Sequence, residues 1–383
     1  MWPTINEWHM IFKKTGKTKK KKTKKQLIIR LVVYIIVSVS LCIGLIVYLS
    51  YEQSRAERAY EIQNSPDILS PAMLEAQAEL STIIEEREKL PVTEVNEVMD
   101  QNEIIWDIGE IGHCFDNLRT LKGSTKYESI GKYRVPEKSK KALRETFDVL
   151  EDRGYSIGFI VLDLQTGEGV SYNCDHEFFS ASSVKGPYMV SLINYAPESL
   201  EEYGYNFKAI AATSDNRSYN NLFMLYGNEY FNRWCEEAGI SLRMADDYNY
   251  VYYSPRMLAS LWLLNYRFFI TNEEYGDKAA ELFDHPSYST IHTALGPFYK
   301  TLTKSGWINL RYHAIIDSGI VSDGEDPFMI ILMSDYSGDL LELNAVTCEL
   351  ERIHADIVGK KSKITNKYIE EQKKEYPLGY WWR

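Results

Sequence analysis

Ser182 and Lys185 stand three residues apart in SASSVKGPY, residues 180–188, and form the one S-x-x-K frame of that stretch. Residues at this spacing share a helix face, so the lysine amine can reach the serine hydroxyl. A serine hydroxyl becomes a competent nucleophile only when a base takes its proton. A lysine serves as that base only where burial or neighbouring cations favour its neutral form. Backbone N–H groups at a helix start also point toward any oxyanion formed at Ser182. Serine and lysine are common, so the frame alone reads as a polar helix start; partners decide the matter.

Two such partners follow in order. The stretch ATSDNRSYNNL, residues 212–222, holds Ser214-Asp215-Asn216 with Asn220 four residues on. The stretch TLTKSGW, residues 301–307, holds Lys304-Ser305-Gly306 between two strand-like segments. S-x-x-K, then S-D-N, then K-[ST]-G is the motif set of class A β-lactamases and penicillin-binding proteins. From about residue 136 to residue 357 the chain resembles the class A β-lactamase-like serine hydrolases.

That resemblance implies a role for each residue. Ser182 would be the acylated nucleophile, hydrogen-bonded to Lys185 as its general base. Ser214 would pass a proton to the leaving nitrogen, and Asn216 would hold both Lys185 and the substrate amide. Lys304 would add positive charge to the cleft, with Ser305 binding the substrate carboxylate. Gly306 would leave the strand edge open to substrate, and the Trp307 N–H would complete an oxyanion hole with that of Ser182. Arg311 is an off-register candidate for the arginine that usually follows K-T-G. The implied fold is α+β and β-lactamase/transpeptidase-like: an antiparallel sheet flanked by helices, plus an all-helical lobe, with the site between them.

The sequence departs from the family in a second place. Class A enzymes carry an E-x-x-L-N loop whose glutamate activates the deacylating water, and no such motif precedes Ser254. Glu236, Glu237, Asp246 and Asp247 are the nearest acids, and none is assigned the role. Only 32 residues separate Ser182 from Ser214, so the helical lobe should be trimmed. Acylation is better supported than turnover.

The elements that must position these residues are legible around them. PEKSKKALRETFDVLEDRG reads as an amphipathic helix, and YSIGFIVLDLQTGEGVSYN as a β-hairpin about a Gln165-Thr166-Gly167 turn. SPRMLASLWLLNY, residues 254–266, resembles the helix before the family's final strands. DPFMIILMSDY then looks like the last strand, followed by a helix over about 338–358 that would pack on the first one. The tail YPLGYWWR, residues 376–383, is expected to pack on the domain.

Composition bounds the remainder. Hydrophobic residues make up 45% of the chain and charged residues 25%, ordinary values for a globular protein, so disorder is not the default. Residues 1–30 hold nine lysines and Arg30 against Glu7 alone, although the net charge of the whole chain is −11. A lysine run of this kind could bind nucleic acid. It is followed, however, by LVVYIIVSVSLCIGLIVYLSY, residues 31–51, a charge-free stretch long enough to span a bilayer. The lysines are therefore a topology signal, placing the N-terminus in the cytoplasm and the rest outside. Residues 1–30 are expected as a basic arm, 31–51 as a transmembrane helix, 52–135 as an acidic helical stalk, 136–362 as the hydrolase domain and 363–383 as an aromatic tail.

Cys114, Cys174, Cys235 and Cys348 show no C-x-x-C or metal-ligand spacing; they fit either two disulfides or four buried thiols. The seven histidines show no paired spacing. No metal or cofactor is expected, and no oligomeric state is read. The expected protein is a membrane-anchored extracytoplasmic serine hydrolase acting on β-lactam or D-amino-acid peptide amides of the peptidoglycan type. The alternative is a non-turnover penicillin-binding receptor or sensor with a cytoplasmic signalling arm.

Overall fold

The computed structural model of the protein describes residues 111–379, apart from 124, 247 and 310–312. The basic arm, the expected transmembrane segment and most of the stalk lie outside the described residues. Among the described residues no helix is long and apolar enough to cross a membrane.

The described residues open with α1 (Gly112–Arg119), β1 (Glu128–Ile130) and α2 (Glu137–Glu151). The hairpin β2 (Ile157–Asp163) and β3 (Gly169–Tyr172) follows, then the short β4 (Phe178–Phe179). A 3-10 turn (Ala181–Val184) runs directly into α3 (Lys185–Tyr195). The helical lobe continues with α4 (Glu198–Glu202), α5 (Gly204–Thr213), α6 (Asn216–Tyr226) and α7 (Glu229–Glu237). After β5 (Tyr252–Tyr253) come α8 (Pro255–Thr271), α9 (Gly276–Glu281) and α10 (Thr290–Leu295). The chain then returns to strands: β6 (Lys300–Thr303), β7 (Gly306–Asn309), β8 (His313–Ser322) and β9 (Phe328–Ser334). A second 3-10 turn (Leu340–Leu343) leads into α11 (Asn344–Ile357), and α12 (Asn366–Glu375) ends the described chain.

Seven strands form one antiparallel sheet in the order β1-β3-β2-β9-β8-β6, with β7 continuing along β8 beyond β6. Strand side chains alternate between faces, and here both faces are covered. Ile160 and Leu162 of β2, with Met329, Ile331 and Met333 of β9, pack under the helical lobe and α8. Phe159 and Val161, with Phe328, Ile330 and Leu332, pack under α2, α10 and α11. This is why the strands read as continuous apolar runs rather than alternating ones.

Local chemistry sets the helix starts. Ser254 caps α8, its hydroxyl accepting from the Met257 N–H at 3.3 Å with Pro255 at the first helical position. The β2–β3 turn holds Gly167 at φ 66°, a backbone region that favours glycine. Asp163 buttresses that turn through the Thr166 N–H at 2.7 Å, and its other oxygen meets His354 Nε2 of α11 at 3.0 Å. A buried pair thus ties the C-terminal helix to the first hairpin.

Three expectations need correction. The hydrolase domain does not begin at residue 136. Strand β1 is the sheet edge beside β3, and Cys114 and Leu118 of α1 lie in the core, so the stalk assignment ran into the domain. The domain does not end at residue 362: α12 buries Ile369, and the start of the tail packs on the domain as expected, with Leu378 on the same core and the Gly379 N–H donating to Glu342 Oε2 at 2.7 Å. Finally, all four described cysteines are free and buried, which removes the disulfide alternative.

Candidate active site

The turn that carries the expected nucleophile Ser182, called here the nucleophile turn, combines two helix types. Ser182 lies in the 3-10 turn and Lys185 is the first residue of α3. A 3-10 turn has three residues per turn, so positions i and i+3 eclipse and the two side chains leave on one side. Ala181, just before the serine, holds φ at 42°, a left-handed value that costs a residue with a Cβ. Ser182 itself is half-buried, whereas Lys185 is wholly buried.

The second contribution comes from the α5–α6 turn. Ser214 ends α5 in the left-handed conformation, with φ 62° and ψ 30°. The Asp215 carboxylate then caps α6 by accepting from the Ser218 N–H at 2.7 Å. This sharp turn points the Ser214 carbonyl and the Asn216 side chain at α3. Lys185 Nζ donates to the Ser214 carbonyl at 2.6 Å and to Asn216 Oδ1.

The third comes from the β6–β7 edge. Lys304 shares a sheet face with Leu302 and Gly306, the face toward the helical lobe. Its stem runs against Gly186 of α3, where an added Cβ would meet Lys304 Cβ at 3.1 Å. Its amine donates to Ser214 Oγ at 2.8 Å and to the Ser305 carbonyl at 2.9 Å. Ser214 is therefore bracketed by two buried lysines, one on its carbonyl and one on its hydroxyl. Burial pushes Lys304 down to about 7, against the opposing pull of Asp317. Asp317 is itself buried, which raises its carboxyl to about 6 despite hydrogen bonds from the Ile291 and Ser318 N–H groups and the Ser289 hydroxyl.

The direction of the Trp307 N–H, expected as an oxyanion donor, follows from register. The Lys304 N–H donates to the Ser318 carbonyl at 2.9 Å, and the β7–β8 pairing keeps the same register, with Gly306 opposite Ile316. Bonded pairs alternate in an antiparallel ladder. The Gly306–Ile316 pair is therefore bonded, and the Trp307 N–H turns to the edge away from β8. A Cβ on Gly306 would lie 2.6 Å from the Ser182 nitrogen and 2.3 Å from that of Ser183, which puts β7 against the nucleophile turn.

The structure thus brings together Ser182, Lys185, Ser214, Asn216 and Lys304, with Gly306 and the Trp307 backbone beside them. It differs from expectation at three points. No hydrogen bond among those described joins Ser182 to Lys185; the amine goes to Ser214 and Asn216. Glycine at position 306 is required by the close approach of the nucleophile turn. The Ser305 hydroxyl lies on the opposite sheet face from Lys304 and donates to the Tyr288 carbonyl, so a substrate carboxylate would have to draw it from that acceptor. The Trp307 ring, also on that face, packs edge-on against Tyr288 at 4.6 Å. Arg311 lies outside the described residues.

Three of the four acids considered for deacylation, Glu236, Glu237 and Asp246, are engaged elsewhere. Glu236 pairs with Arg243 at 2.5 Å. Glu237 accepts from the Tyr195 hydroxyl and lies 3.7 Å from Arg267. Exposed Asp246 accepts from Asn228 Nδ2 at 2.9 Å, and Asp247 lies outside the described residues. Sequence reasoning also missed two aromatic neighbours of the site. Tyr219 places its ring 5.3 Å from Lys185 Nζ, and the Tyr250 hydroxyl donates to Asn216 Oδ1 at 3.3 Å. Tyr219 stands three residues after Asn216 on one helix, a spacing that could have identified it.

Comparison with known proteins adds a family and several folds. A family model described as the β-lactamase enzyme family matches residues 138–199 and 207–354. No curated protein matches the chain. Among solved structures, PBP-A is 15% identical, with 57% of this chain and 96% of that one covered at a TM-score of 0.46. A β-lactamase from Sphaerobacter thermophilus is 15% identical, covering 59% of this chain and 98% of its own, with a TM-score of 0.47. One from Chitinophaga pinensis is 15% identical, covering 58% and 99%, with a TM-score of 0.49.

Proposed function

The chain belongs to the β-lactamase enzyme family, and from that premise we propose that it is a membrane-anchored extracytoplasmic serine hydrolase forming an acyl-enzyme through Ser182. Its substrates are β-lactams or D-amino-acid peptide amides of the peptidoglycan type. The observation that carries this reading is Ser214 held between Lys185 and Lys304. Helical lobe, nucleophile turn and sheet edge converge there from three distant parts of the sequence.

In the acylation step Ser182 Oγ attacks the amide carbonyl carbon, and its proton passes to the Lys185 amine. The carbonyl oxygen takes up the displaced electron pair, facing the N–H groups of Ser182 and Trp307. As the carbon–nitrogen bond breaks, the Ser214 hydroxyl gives its proton to the leaving nitrogen and is reprotonated from the lysine side. Lys304, donating to Ser214 Oγ, orients that hydroxyl and supplies positive charge for a substrate carboxylate.

A second reading is acylation with release so slow that the protein acts as a penicillin receptor. It is favoured by Glu236, Glu237 and Asp246, each bound to a partner outside the site. One experiment separates the readings. Full-length protein in detergent micelles is incubated with a penicillin and followed by intact mass, and nitrocefin turnover is measured beside it. The hydrolase gains the penicillin mass at Ser182 and then loses it with turnover; the receptor keeps the adduct and leaves nitrocefin intact. A Ser182→Ala protein that still acquires the adduct overturns both.

A further inference from the structure

Lys185 sits in an aromatic setting that the acylation chemistry above does not use. Asn216 and Tyr219 are three residues apart on α6 and so face α3 together. Asn216 offers Lys185 its amide oxygen, and Tyr219 offers the face of its ring, with the ammonium nitrogen 5.3 Å from the centroid. The ring is locked on several sides. Tyr188 of α3 meets it edge-on at 5.2 Å and 90°, and Tyr250 approaches at 5.8 Å. Its own hydroxyl donates to the Asn249 carbonyl at 2.5 Å. Tyr219 and Lys185 are both wholly buried.

An aromatic face carries negative quadrupolar potential, and its attraction for a cation is greatest where water is excluded. Burial holds the Tyr219 phenol well above its ordinary range, so the ring stays neutral and acts through that face. Among the described groups around Lys185, several act on its charge. Lys304 faces it from the β6–β7 edge and opposes a second positive charge. The Ser214 carbonyl and the Asn216 oxygen favour the ammonium. Asp215 is turned to its own helix cap at Ser218. Tyr250 acts through Asn216, and the Tyr253 hydroxyl is engaged with Ser183 Oγ.

We infer that Tyr219 is a positioning residue of the acylation site: its buried ring is the seat of the Lys185 ammonium and sets the pH at which Lys185 becomes a base for Ser182. The inference rests on the reading that Lys185 takes the Ser182 proton. Stabilising the ammonium makes the free amine available only at higher pH. Removing the ring face therefore moves the acid limb of acylation toward lower pH.

The test measures the rate of acylation by a penicillin against pH, using full-length protein in detergent micelles. Tyr219→Leu should shift the acid limb down by roughly half a pH unit to one and a half, the range a buried cation–π contact corresponds to. Tyr219→Phe, which keeps the ring and drops the hydroxyl, should leave the limb in place. Because a leucine in this core could unfold the lobe, a trifluorinated phenylalanine at position 219 gives the same comparison at constant shape. It should move the limb as leucine does while melting with the phenylalanine variant. If the leucine and fluorinated proteins lose rate equally at every pH with the limb unmoved, Tyr219 is only packing and the inference falls. Covalent labelling of Ser182→Ala would instead overturn the reading beneath it.

Discussion

Lys304 is the side chain whose protonation the fold alters most usefully. Its amine is buried against Ser214 and Ser305, and desolvation brings it down to about 7. As pH rises through that value the ammonium becomes an amine, and the positive charge available to a substrate carboxylate disappears. Acylation by an anionic penicillin should therefore decline above about pH 7, whereas the methyl ester of the same penicillin should show no such limb. Stopped-flow acylation of both across pH checks this; a shared limb would assign it to another group. The five polar residues of the site were legible because motif order constrains them jointly. Tyr219 and Asp317 were not, since a buried tyrosine or aspartate has no sequence mark until its neighbours across the fold are known. The acceptor of the Ser305 hydroxyl was not legible for a related reason. Its direction depends on strand alternation and on the Tyr288 carbonyl 17 residues earlier.

Strand β7 and the nucleophile turn act as one unit, and their contact is nearly without clearance. Gly306→Ala would place a methyl group 2.3 Å from the Ser183 nitrogen, a backbone atom with no rotamer to yield. The expected result is a loss of stability of about 1–3 kcal/mol, the usual cost of overpacking, together with loss of acylation as the oxyanion donors separate. Gly204→Ala, at a position where an added Cβ meets nothing within 4 Å, serves as the control and should change neither. Chemical denaturation and penicillin labelling of both variants decide the matter. Elements with strong periodicity or capping were readable: the β2–β3 hairpin with its Gly167 turn, α2, α8 behind Ser254, and β9. Helix α1 and the three-residue β1 were absorbed into an acidic stretch, because so short a strand gains its identity only from pairing with β3.

Across the whole chain, positive charge is concentrated at one end. On the proposed reading, the lysine-rich first thirty residues and the apolar segment 31–51 would place everything from the stalk onward outside the cytoplasm. Protease added to intact cells should remove the domain and spare the arm; complete protection of the domain would reverse the topology. The α+β arrangement was readable from motif order, whereas the extent of the domain was not. Its first helix and last turn reach the core through contacts that no local pattern announces. The left-handed Ala181 gives this long-range construction a temporal meaning. That conformation is unfavourable by itself and lies beside a turn backed by Gly306, a residue made only after the entire helical lobe. On the proposed reading, the serine emerges early in synthesis but would become reactive toward acyl donors only once the late strands have docked.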